Sequence, residues 1–154
     1  MRVEYINPFV EAAYNIMTEV LQADVERKDL YLKKTTQPVM GVAALVGLAG
    51  DVEGRVLIDM SQDTAIKIAS TMNGEKLTGL DELAKASITE LANMITAQAV
   101  TKLFDLGFKF DLTPPSIITG ENMSVSNANV EALIVPLEMP QGLVEINVAI
   151  RERA

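Results

Sequence analysis

The sequence predicts an α+β fold, with three helices, one of them long, beside an antiparallel or mixed six-stranded sheet. The elements segregate along the chain: one helix, three strands, two helices, then about three strands. Two stretches alternate at the period of a half-buried strand. In the first, Val52, Gly54, Val56, Ile58 and Met60 face away from Glu53, Arg55 and Asp59, with Leu57 as the exception. In the second, Val144, Ile146, Val148 and Ile150 alternate with Glu145 and Asn147. A chain of 154 residues, 49% of them apolar, suits one domain over 1–154 that buries a core without disulfides or metal staples.

Asn7-Pro8 reads as an N-cap followed by Pro at the first helical position. Phe9, Ala12, Ala13, Ile16, Val20 and Leu21 then recur at helical spacing, predicting a first helix over 8–22. Leu30 to Thr35 has weak strand character, and Val39 to Leu48 is a short apolar run suited to a buried strand. Gly50-Asp51 marks the turn into the strand that begins at Val52. Ser61 caps a second helix reaching Met72, which Asn73-Gly74 stops. Thr78-Gly79-Leu80-Asp81 resembles a capping box. No breaker follows before Gly107, so the third helix can run about 27 residues, roughly 40 Å. Phe108, Phe110 and Leu112 alternate before the rigid stop Thr113-Pro114-Pro115. Strands are predicted at Ser116 to Thr119, Val130 to Leu137 and Leu143 to Ile150, with Met139-Pro140-Gln141-Gly142 as the last turn.

Composition removes whole classes of chemistry. The chain has no His and no Cys. There is no thiolate nucleophile, no imidazole base and no structural zinc site, and serine–histidine hydrolysis is excluded. A metal held only by carboxylates stays open. The net charge of -8 argues against nucleic acid and against an anionic membrane. No apolar run is long enough to span a bilayer, and Met1-Arg2-Val3-Glu4 lacks the pattern of a signal peptide. The cytoplasm is the expected location. Asp51 and Glu53 read as solvated turn residues, and Met17, Met60 and Met94 as core fillers.

The third helix holds the chemistry. On a wheel of about 100° per residue, Leu80, Leu83, Ala84, Ser87, Ile88, Leu91, Met94, Ile95 and Ala99 form an apolar stripe. Ala86, Glu90, Asn93 and Ala97 share the opposite side, flanked by Thr89 and Thr96. Glu90 and Asn93 are three apart, so their side chains are neighbours. Small residues around them let another protein approach the helix backbone while one carboxylate and one amide stand proud. A Glu and an Asn at this spacing are common on solvated helices, so the pair alone does not decide function.

Asp81-Glu82-Leu83-Ala84, Ile88, and Glu90-Leu91-Ala92-Asn93-Met94 resemble the signature helix of the CheC/CheX/FliY chemotaxis phosphatase family, whose core is E-x-x-N. Asp111-Leu112-Thr113-Pro114-Pro115, the Gly50-to-Gly54 turn and the helix from Thr64-Ala65 also look like the family pattern. The single signature helix and the short chain are similar to the CheX type. The resemblance implies a CheC-like fold and hydrolysis of the aspartyl phosphate of a CheY-like receiver domain. In that scheme Asn93 positions the attacking water and Glu90 docks on the receiver's active-site Lys, with Ala86, Thr89 and Ala97 also meeting the partner. It implies no cofactor of the chain's own, Mg²⁺ in the receiver, and a homodimer formed through sheet edges, for which Leu143 to Ile150 is the candidate strand. One position departs: the family places Ser or Asp four residues before the Glu, where this chain has Ala86. The alternative is a non-catalytic receiver-binding or flagellar-switch-type module of the same fold.

Overall fold

The computed structural model describes residues 3–33, 36–121, 123–126 and 131–152. Helix α1 (Val3–Leu21) is followed by short strands β1 (Glu26–Arg27), β2 (Tyr31–Lys33) and β3 (Thr36–Pro38). The hairpin β4 (Val42–Gly50) and β5 (Val52–Met60) comes next, then helices α2 (Gln62–Asn73) and α3 (Glu82–Asp105). Strands β6 (Phe110–Leu112), β7 (Ser116–Thr119) and β8 (Ser124–Ser126) lead to a final hairpin of β9 (Ala132–Met139) and β10 (Gly142–Glu152).

The main sheet has eight strands, not six. Its order is β1-β9-β10-β5-β4-β6, with β2 also on β9 and β7 also on β4, and β3 pairs with β8 apart from it. Every described pairing is antiparallel. The strand from Leu143 to Ile150 lies inside β10, which pairs with β5 on one side and β9 on the other. Its backbone groups are consumed by those ladders, so it cannot supply the dimer edge expected of it. Of the other expected strands, Lys34, Thr35 and Val130 lie outside the described residues, and β7 keeps its predicted bounds.

The helices pack on one face of the sheet. Val56, Ile58 and Met60 of β5 and Val144, Ile146 and Val148 of β10 meet Phe9, Met17, Ile88, Leu91 and Ile95 in one core. Each fully buried aliphatic or aromatic side chain contributes about 1.5–3 kcal/mol of transfer free energy. That burial also explains where α1 begins. The expected start at Pro8 is wrong because Tyr5 and Ile6, one turn earlier, are buried. Pro8 this near the start removes only the N–H that would reach the Glu4 carbonyl. The Tyr5 ring meets Phe108 edge to face, with centroids 4.8 Å apart.

The other sheet face carries polar groups. Buried Asp59 accepts from the Met40 N–H at 3.0 and 3.2 Å. Arg55 Nη1 donates to Asn147 Oδ1 at 3.2 Å, and the Tyr31 hydroxyl donates to Glu145 Oε2 at 2.5 Å. Burial, followed by the hydrogen bond to Glu145, raises the Tyr31 hydroxyl pKa. Burial also lowers that of the Arg55 guanidinium. With the sheet between them and α3, these groups are remote from the site below.

Candidate functional site

Two caps and a cross-brace set α3 in place. Asp81 is its N-cap, in extended backbone, and its carboxylate accepts from the Ala84 N–H at 2.9 Å. The box predicted to start at Thr78 is not formed; a single cap three residues later takes its place, and the helix is 24 residues long. Ser61 caps α2 by accepting from Thr64 N–H, and Gly74 ends it at φ 65°. Asn73 Nδ2 then ties the helices together, donating to Ala69 O at 2.7 Å and to Ser87 Oγ at 2.8 Å. Ser87 is buried and donates back to Leu83 O at 2.9 Å. It belongs to the helix junction and is turned away from the outward face.

The buried side of α3 differs in part from the predicted stripe. Ala84, Ser87, Ile88, Leu91, Ile95 and Ala99 are buried as expected, but Leu83 is 43% exposed. Thr96, expected to flank the polar pair, is buried, and its hydroxyl donates to Ala92 O at 2.8 Å. The core therefore takes up the side of α3 that carries Ala92 and Thr96.

Glu90, Asn93, Ala86 and Ala97 are all exposed. Thr89 is half-buried, with its hydroxyl donating to Lys85 O at 3.0 Å. Glu90 and Asn93 are one helical turn apart, with Cβ atoms about 5–6 Å from each other. Neither side chain makes a hydrogen bond or ion pair among the described residues. Glu90 is also the one charged residue between Lys85 and Lys102. A free carboxylate and a free amide thus stand side by side on a convex, otherwise uncharged surface. The carboxylate can accept from a cation, and the amide can both donate and accept.

The D-L-T-P-P segment does structural work at a sheet edge. The Thr113 N–H donates to Gly47 O at 3.0 Å, and Thr113 Oγ1 accepts from the Gly47 N–H at 2.8 Å. One residue thus satisfies both backbone groups of Gly47 between β6 and β7. Pro114 and Pro115, which lack an N–H, separate those two strands. Among the described residues no three carboxylates gather closely enough to hold a metal ion, and no helix is long and apolar enough to cross a membrane.

The antiparallel sheet under three helices is the CheC-like fold, as the similar solved structures show. The model of the family "Chemotaxis phosphatase CheX" matches residues 42–138, and the chain belongs to that family. It is 28% identical over 131 residues to the CheY-P phosphatase CheX of Thermotoga maritima, covering 84% of each chain. It is 42% identical to the protein in the structure of the CheX-CheY-BeF3-Mg+2 complex from Borrelia burgdorferi. There the TM-score is 0.86, with 98% of this chain and 100% of that one covered. A CheC-like superfamily protein from Shewanella sp. PV-4 superposes with a TM-score of 0.89 at 27% identity, covering 98% and 99% of the two chains.

Proposed function

We propose that this protein hydrolyses the aspartyl phosphate of a phosphorylated CheY-like receiver domain, with Asn93 positioning the attacking water and Glu90 docking the helix on the receiver. The observation that carries the reading is the exposed, unengaged Glu90–Asn93 pair. The family supports the activity, and the Borrelia burgdorferi relative, in complex with CheY, supports the partner.

An aspartyl phosphate is a mixed anhydride, so its carboxylate leaves readily and needs no general acid. Water attacks phosphorus in line, the bond from phosphorus to the aspartyl oxygen breaks, and inorganic phosphate departs. The receiver supplies Mg²⁺ and a Lys. What is missing is an ordered water. The Asn93 amide oxygen accepts a hydrogen bond from the water and its NH₂ contacts the phosphoryl oxygens, so a lone pair faces phosphorus, and the water's protons leave with the phosphate. Glu90 pairs with the receiver Lys, and Ala86 and Ala97 allow close approach.

The test is the decay of receiver phosphorylation. Asn93→Ala should keep docking and lose on the order of 10²–10³ fold in turnover. Glu90→Ala should weaken docking as well, by about 2–5 kcal/mol. Full activity in Asn93→Ala would end the catalytic assignment. Acceleration by substoichiometric protein separates a catalyst from a receiver-binding module, the reading that Ala86 leaves open.

A further inference from the structure

The outward face of α3 extends beyond the pair. Viewed down the helix at about 100° per residue, Phe104 falls at the same angle as Ala86, and Leu83 lies within about 60° of both. Phe104 is 50% exposed and Leu83 43% exposed. Neither belongs to the core nor packs partly buried against it, whereas Phe108, four residues on, does. Phe108 is fixed against Tyr5, while Phe104 has no ring contact among the described residues. Two large apolar side chains thus bracket the Glu90–Asn93 pair on one straight helix face.

From these positions we infer that Leu83 and Phe104 are anchors for the same receiver domain, seating it over the pair and setting its affinity. This rests on the reading of Glu90 and Asn93 given above. Two features select a receiver as the occupant. One is charge: between Lys85 and Lys102 the helix carries only Glu90, the ion with a Lys counterpart in the receiver. Covering that central stretch desolvates no other charge, and the lysines at its two ends are already paired, Lys85 with Glu82 and Lys102 with Glu11. The other is reach. A standard interface buries roughly 800 Å² per partner, a disc about 16 Å in radius. From the centre of the pair, Leu83 lies about 13 Å along the axis, inside that disc, and the Phe104 backbone about 19 Å, just outside it, at 1.5 Å per residue. Helical side chains lean toward the N-terminus, which brings the Phe104 ring back to the rim of the disc.

Steady-state kinetics on the phosphorylated receiver decide it, using the full chain with Phe104→Ala, Leu83→Ala and the double variant. Both residues are exposed, so these proteins should melt with the parent. The double variant should raise KM about tenfold and leave kcat within about twofold. Phe104→Leu, which restores an apolar side chain, should recover most of the KM. An unchanged KM in the double variant overturns the inference while leaving the Asn93 assignment intact. An Asn93→Ala variant run alongside tests that assignment separately, through kcat. Sedimentation of the same variants tests the rival occupant, a second copy of this chain. A change in oligomer mass with KM unmoved would assign the face to self-association and overturn the proposal.

Discussion

Gly54 shows how tightly a single position can be constrained. It sits in β5 opposite Ile150 of β10, at φ 146°. A Cβ there would collide with the backbone carbonyl of Ala149, which cannot rotate away as a side chain can. Gly54→Ala should cost about 3 kcal/mol. For a chain of this length that is a fall in melting temperature of roughly 6–12 °C, which circular dichroism on heating will measure. In sequence this glycine reads as a member of an alternating strand and as the end of the Gly50-to-Gly54 turn, and neither reading reveals the constraint, because a forbidden approach between strands leaves no mark on periodicity. Glu90 and Asn93 were readable, since three-residue spacing on a helix with a strong opposite stripe places them without tertiary information. Thr96 was not: a threonine at the margin of the stripe is polar by composition, yet its hydroxyl is satisfied inside its own helix.

At the level of elements, boundaries were harder to read than identities. The helices, the long strands and the last turn are where periodicity put them. The two additional strands of the main sheet, β1 and β6, escaped the count because they run only two and three residues, too few for a pattern of period two. The start of α1 escaped because Asn7-Pro8 is a strong local signal that burial of Tyr5 and Ile6 overrides. The start of α3 turns on one carboxylate. Asp81→Ala removes the acceptor for the Ala84 N–H and should cost about 1 kcal/mol. Since Glu90 lies more than two turns further along, phosphatase activity at room temperature should stay near that of the parent. A thermal melt beside a receiver dephosphorylation assay checks both halves. Loss of activity without loss of stability would mean that the Asp81 carboxylate itself meets the partner.

For the molecule as a whole, the site is half of one. Glu90 and Asn93 project from a convex helix, and neither lines the hollow beside α2 or the one between α1 and α3. In the proposed mechanism the reacting phosphoryl group, its Mg²⁺ and its Lys arrive with the receiver. A small acyl phosphate such as acetyl phosphate, with Mg²⁺ added, should therefore hydrolyse no faster with the protein than without it. Colorimetric phosphate release will show this. A different asymmetry lies in the sheet. Strand β10 pairs with β5 from Val144 to Glu152 and with β9 from Gly142 to Val148, while β5 and β9 share no described hydrogen bonds. It is the keystone joining the two halves of the sheet, and a ribosome makes it about 80 residues after β5. At about 5–20 residues per second, the growing chain holds an open β5 edge for roughly 4–16 seconds. During that interval its unpaired backbone groups are open to pairing with a neighbouring nascent chain.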